Sequence, residues 1–462
     1  MISLPPAFTE RMQQLLGNES ETFFQALVSE SPTSIRLNPE KTANTDLPFS
    51  ELLSRQVPWC SNGYYLKERP SFTSDPLLHG GAYYVQEASS MFLQVVLQQI
   101  TGDTPLRVLD LCAAPGGKST LLANNLPKDS LLVSNEVIKS RASILKENII
   151  KWGYDHIVVT NSNPNRFTGM KGAFDMILVD APYFDKILVD APCSGEGMFR
   201  KDEKAITEWS ENNLRLCEER QKRILSDVWD ALAPGGYLVY STCTYNPGEN
   251  EDILNWILTT FDASSVEIRH NFTAITPSPS PLHGYHFYPH KTSGEGLFMG
   301  VIQKNDGTPF TMKKEKRATP SPAVKLPADI LPLLPDMTKY TPYIAGETLG
   351  ILPKQHAEFI QYLSSKAGVI YKGCEIGECI KGKTKPAHAL ALYHKLQQKH
   401  VTRQEVDLST ALQFLRKEDI RFEAPQGEWI LITYKGIGLG WVKEVGNRVN
   451  NYYPKEWRIK KL

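Results

Sequence analysis

Between Leu106 and Val301 short apolar runs alternate with stretches of helical periodicity, the pattern of βαβ units built around a largely parallel sheet. Strands are predicted at residues 107–111, 131–134 and 157–160, in a run ending before Cys193, and at 237–241, each followed by a helix or a loop leading to one. A helix through Ile224 to Leu232 is expected to stop at Ala233-Pro-Gly-Gly236, which launches the fifth strand. Residues 1–100 mix helical patterns at 8–16 and 22–27 with turn-rich pieces, giving an N-terminal α+β extension to the α/β domain of 101–304. Residues 305–329 are dominated by Lys, Pro, Thr and Ser and read as a linker, because such a segment buries no core. A small α+β domain is expected over 330–385. In 386–462, the runs 429–434, 436–442 and 457–461, punctuated by glycine turns, predict the short strands of a β-barrel.

Charge changes this picture only locally. The 462 residues carry 51 Lys plus Arg and 51 Asp plus Glu, so no global field draws the chain to a polyanion or a membrane. The basic end is 386–462, with thirteen Lys/Arg against eight Asp/Glu. No apolar run reaches the roughly 18 residues of a membrane span, and Met1-Ile-Ser-Leu-Pro-Pro6 has no signal-peptide pattern, so a cytoplasmic protein without membrane partners is expected. Seven cysteines, an odd and sparse set, are not a disulfide framework. Cys374 and Cys379 have no second Cys/His pair nearby, so they are expected to be ordinary thiols and no metal site is anticipated.

Candidate chemistry lies at the predicted strand ends. Cys112-Ala113-Ala114-Pro115-Gly116-Gly117-Lys118 joins the first strand to a helix, at the edge where open α/β sheets bind ligands. Its spacing fits neither the dinucleotide fingerprint nor the P-loop. Glu136, after the second strand, stands near the offset at which a carboxylate accepts bonds from ribose hydroxyls. Asp190-Ala-Pro-Cys193-Ser-Gly-Glu-Gly197 and Ser241-Thr-Cys243 follow the fourth and fifth strands, so one crevice can hold both cysteines. Two thiols beside a cofactor turn suit alkylation at carbon 5 of a pyrimidine, where a thiolate added at carbon 6 makes carbon 5 nucleophilic. A carboxyl at Asp190 can bond the base edge, and a second thiol or a water can assist proton loss and release.

One departure is internal. Phe174-Asp-Met-Ile-Leu-Val-Asp-Ala-Pro182 recurs, with one change, as Phe184-Asp-Lys-Ile-Leu-Val-Asp-Ala-Pro192. Only the second copy runs into Cys193, so it is expected to supply the functional strand end, with the first copy looped out or poorly ordered.

These motifs together resemble the Nop/Sun-type RNA cytosine-C5 methyltransferases, and among them the RsmF-like bacterial ribosomal RNA enzymes. The resemblance covers nearly the whole chain, including Ser34-Ile-Arg-Leu-Asn38 and Tyr83-Tyr-Val-Gln-Glu-Ala-Ser-Ser-Met91. It implies a Rossmann-like S-adenosylmethionine-dependent methyltransferase sheet, a PUA-like RNA-binding barrel at the C-terminus, and small-subunit ribosomal RNA as partner. It further implies that residues Cys112 to Lys118 and Glu136 hold S-adenosylmethionine, that Cys243 is the nucleophile and Cys193 aids product release, and that Asp190 lies between cofactor and base. The family usually has Asp-Gly after the third strand where this chain has Asn163-Pro164; Asn163 can still accept from the adenine amine. Tyr83, Tyr84, Phe92, Arg36 and the basic tail are candidates for RNA contact, with core packing and surface solvation as the alternative. Two other readings remain open: a DNA cytosine-C5 methyltransferase using Cys193, and a catalytically degenerate RNA-binding assembly factor.

Overall fold

The strands of the central sheet are apolar on both faces, which requires helices on each side. In a computed structural model describing residues 4–43, 48–181, 193–312, 324–380, 382–422, 427–445 and 448–460, five of them run parallel. These are β1 (Arg107–Asp110), β2 (Leu131–Asn135), β3 (Ile157–Thr160), β4 (Phe174–Ala181) and β5 (Leu232–Thr242), in the order β3-β2-β1-β4-β5. Alternate residues feed two cores. Val108, Leu132, Val159 and Met176 enter one, with Leu121 of α1 (Gly117–Asn125) and Leu145 and Ile149 of α2 (Lys139–Trp152). Leu109, Val133, Val158 and Ile177 enter the other, with Leu225 and Val228 of α3 (Glu211–Trp229) and Ile253 and Ile257 of α4 (Glu251–Thr260). Beyond β5 the sheet continues through β6 (Thr276–Pro277), β7 (Gly284–Phe287) and β8 (Leu297–Lys304), with β8 antiparallel to β5 and joined by Ala263–Ser265. Strand order reverses between β1 and β4, so a crevice opens at their carboxyl ends.

Several expectations are corrected. The first tandem copy is not looped out: it forms β4, paired with β1 on one side and β5 on the other. The second copy, with Asp190, lies outside the described residues. The helix expected to reach Leu232 ends at Trp229, and Ala233–Gly236 bulges from the start of β5, where pairing jumps from Phe174–Leu232 to Met176–Tyr237. β9 (Val369–Lys372), from the segment expected to be a separate small domain, pairs antiparallel with β3 and closes that edge of the central sheet. Leu349, Ile351 and Cys374 share a core with Leu390, Leu431 and Trp441, so the 385/386 division is bridged by packing. In the tail, Trp429–Tyr434 and Ile437–Val445 are strands, but the third partner is Arg448–Asn451; the run from Trp457 starts at the last residue of a short turn, Lys455–Trp457, and forms no strand among its described residues.

The N-terminal extension contributes a four-stranded sheet docked on α1 and α2, and its candidate RNA contacts are interior. Tyr83 and Phe92 are buried, and Tyr84 packs edge-on against Trp152. Arg36 is 1% exposed; its guanidinium donates to Gln86 Oε1 (2.7 Å), Thr120 Oγ1 (2.6 Å) and the Gly117 carbonyl (3.2 Å), and lies over the Trp152 ring. Burial pulls it down to about 10, still charged at neutral pH. A cation so deep is retained because it ties the extension to the glycine turn. Arg36→Met is expected to cost about 3 kcal/mol by equilibrium urea unfolding, since three acceptors lose their charged donor.

Candidate active site

β1 ends at Asp110, and the chain passes through Cys112–Lys118 into α1. Gly116, at φ 116°, turns the backbone where a side chain would be strained. The turn is held by its carbonyls: Arg141 donates to Ala114 O and Asn148 to Pro115 O, both at 2.8 Å, while Arg36 takes Gly117 O. The Ala113 N–H donates to Asn135 O (2.8 Å), which brings the end of β2 against the turn. Glu136 follows, fully buried, with Oε1 accepting the Ile138 N–H at 2.9 Å and Oε2 3.5 Å from Arg141. Glu136 Oε2 and Asp110 Oδ1 have no hydrogen-bond partner among the described residues. Buried acceptors left open at a glycine turn fit a ligand carrying hydroxyl and amine donors. Burial raises Asp110 to about 7, although Ser119 donates to it at 2.6 Å. Asn163 caps the turn Pro164–Arg166, its Oδ1 accepting from the Asn165 N–H at 3.2 Å.

Across the crevice, Asp180 near the end of β4 accepts from Lys118 Nζ (2.7 Å) and from Ser241 Oγ of β5 (2.6 Å). Burial alone would pull the Lys118 ammonium down, but the Asp180 carboxylate, with Asp110 and Cys243, holds it above its usual value. The end of the strand between β1 and β5, the place expected for Asp190, carries Asp180, because β4 is the first tandem copy; Asp190 lies outside the described residues. The sequence offers both aspartates, since both copies carry the same Val-Asp-Ala-Pro, and favours Asp190 because only its copy runs into Cys193.

The two cysteines meet. Cys193 Sγ lies 3.0 Å from Cys243 Sγ, and both are free thiols. Cys193 is 1% exposed, whereas Cys243 is half-buried. Burial pushes the Cys193 thiol well up, reinforced by its contact with Cys243 and by Glu249, so it remains a neutral donor. Cys112, also raised by burial and by the surrounding carboxylates, stays neutral in the turn. The arrangement combines a turn with open acceptors, a lysine–aspartate pair and two adjoining sulfurs, one of them reachable.

Three family profiles match the chain: 16S rRNA methyltransferase RsmB/F over residues 94–303, the N-terminal domain of 16S rRNA methyltransferase RsmF over 4–88, and the methyltransferase RsmF PUA domain over 402–459. The ribosomal RNA small subunit methyltransferase F of Erwinia tasmaniensis is 30% identical over 98% of this chain and 97% of its own length. This chain belongs to the RsmB/F family of rRNA methyltransferases. Its counterpart in Shewanella loihica is 30% identical over 92% of this chain and 88% of its own. A methyltransferase homolog from Pyrococcus horikoshii, 26% identical, superposes with a TM-score of 0.53 over 66% of this chain and 96% of that one. NSun6 from the same organism, solved with SFG, shares the fold at 18% identity and a TM-score of 0.53, over 66% of this chain and 99% of that one. As an RsmB/F member the chain is an S-adenosylmethionine-dependent rRNA methyltransferase with a C-terminal PUA domain. No helix among the described residues is long and apolar enough to cross a membrane.

Proposed function

We propose that the protein methylates carbon 5 of cytosine in small-subunit ribosomal RNA, in the cytoplasm, with Cys243 as nucleophile, Cys193 as the thiol that assists release, and Asp180 at the base edge. The observation that carries this reading is the 3.0 Å approach of two free sulfurs beside the Lys118–Asp180 pair. S-adenosylmethionine, when bound, supplies an electrophilic methyl group. Residues Cys112 to Lys118 would cradle it through backbone, and the open oxygen of Glu136 would accept from its ribose. To meet the adenine amine, Asn163 Oδ1, which already accepts the Asn165 N–H, would have to accept a second donor.

Cys243 adds through sulfur to carbon 6 of the ring, forming a C–S bond and leaving carbon 5 electron-rich. Lys118, held charged by Asp180, places a cation near the attacking sulfur. Asp180 accepts from the base's amine edge and supports charge in the adduct. After carbon 5 gains the methyl group, its proton leaves to a base or water, the C–S bond breaks, and the electron pair returns to Cys243. Cys193, a neutral S–H at hydrogen-bond distance, stabilises the departing thiolate. The greater exposure of Cys243 supports it, rather than Cys193, as the sulfur that meets the base. The target base must leave its stack to reach them.

The test is methyl transfer from labelled cofactor to ribosomal RNA, as naked RNA and as assembled subunits, with the modified atom mapped by bisulfite sequencing. A methyl group on any atom other than cytosine carbon 5, or none on small-subunit RNA, sinks the reading. For the cofactor site, Glu136→Gln is expected to weaken S-adenosylmethionine binding by about tenfold or more in calorimetry, the loss of a charged acceptor from a buried hydrogen bond.

A further inference from the structure

We propose that Glu196 and Glu249 are positioning residues that hold the two thiols in register, and that Arg11 of the N-terminal helix completes this clasp. The inference rests on the roles assigned above to Cys243 and Cys193. The cysteines lie on separate loops, fifty residues apart, so noncovalent contacts must set the distance between their sulfurs.

Those contacts cross. Glu249, six residues after Cys243, reaches back to the other loop, where its Oε2 accepts the N–H of Ser194 at 2.9 Å. Glu196, three residues after Cys193, reaches in the opposite direction, where its Oε2 accepts the N–H of Tyr245 at 3.1 Å. Each carboxylate thus grips the backbone within two residues of the partner cysteine. The Gly197 N–H donates to the Cys243 carbonyl at 2.9 Å, and the Ser194 and Thr244 hydroxyls pair at 2.7 Å. Both carboxylates are 0% exposed. Burying two acids this close costs several kcal/mol unless every oxygen is served. Their placement makes sense if strong acceptors are needed to lock two loops to within a fraction of an ångström.

The clasp is anchored on both sides. Glu249 also accepts from Gln221 of α3 at 3.0 Å and from Asn246 at 3.3 Å. Glu196 accepts from Trp209 Nε1 at 2.8 Å and from Arg11, which forms its ion pair. Arg11 projects from the helix Pro6–Leu16 and is flanked by the Phe8 and Trp209 rings, each 5.6 Å from its guanidinium carbon. A residue outside the methyltransferase sheet therefore fixes the loop that carries Cys193, which couples docking of the N-terminal helix to the geometry of the site.

The direct test measures sulfur proximity without RNA. Diamide converts the Cys193 and Cys243 thiols to a disulfide, the two hydrogens passing to the diazene and leaving a hydrazine. The wild type is expected to form this bond rapidly, read by peptide mass mapping. Glu249→Ala and Arg11→Met are expected to slow it by about tenfold, with Glu249→Gln between, since loosened loops lose the near-contact geometry. In turnover, the same variants are expected to lower kcat, leave KM for RNA unchanged, and raise the fraction of enzyme trapped on RNA. Crosslinking at the wild-type rate or faster, in variants that keep native circular dichroism and cofactor binding, overturns the inference. Should Glu249→Ala fail to fold, Arg11→Met, at a partly exposed side chain, decides alone. Failure of Cys193→Ala to trap RNA would instead sink the assigned thiol roles while leaving the crosslinking result to stand.

Discussion

Replacing Cys243 by serine is expected to abolish methyl transfer, a loss of at least about 10⁴-fold, whereas replacing Cys193 by alanine is expected to leave protein joined to RNA. The two outcomes differ because the sulfurs act at different steps. A serine hydroxyl at 243 has no accessible alkoxide at neutral pH and cannot add to carbon 6, even with the Lys118 charge nearby. Alanine at 193 leaves the attacking sulfur in place but removes the S–H that sits 3.0 Å from it, so the departing thiolate loses its donor and the adduct persists. Denaturing gels with labelled RNA read the covalent species, and methyl incorporation reads turnover. The reverse pattern, with Cys243→Ser trapping RNA and Cys193→Ala inert, would assign the nucleophile to Cys193, as a DNA-type enzyme requires.

Asp180→Asn is expected to reduce kcat by about 10² to 10³-fold, the range seen when one preorganised electrostatic partner is lost at a reacting centre. Asp180 accepts from Lys118 and Ser241 at once. An amide has one acceptor oxygen, so one donor loses its partner, and the buried Lys118 ammonium loses its counter-charge. The variant therefore suffers twice, at the base edge and at the Lys118 cation near Cys243. Asp190→Asn is the discriminating control and is expected to retain wild-type kcat. If Asp190→Asn carries the loss and Asp180→Asn does not, the second tandem copy is the working one.

The comparison between these two aspartates shows how far residue patterns reach. Five parallel strands, the glycine turn at 112–118 and both cysteine loops were legible because strand periodicity and turn residues are local properties. The choice between nearly identical segments was not, since both copies have strand character and local pattern cannot say which one β1 and β5 accept as neighbour. The same limit explains Arg36, Tyr83 and Phe92. Their residue types suit an RNA surface, yet docking of the N-terminal sheet on α1 and α2 buries them. It also explains β9, whose alternation fits a strand in any sheet but whose partner, β3, is more than two hundred residues away.

Chemical identity was written into the chain from the start: two thiols in turns after strands, a glycine turn without a phosphate-loop spacing, and a basic β-rich tail admit few reactions. Distance was not. Bringing Cys193 to 3.0 Å from Cys243, pairing Lys118 with Asp180 and crossing Glu196 with Glu249 all depend on contacts between segments remote in sequence. Such contacts are settled by shared burial and hydrogen-bond satisfaction across the folded interior, where each loop's position is conditional on the others, so no local reading could supply them.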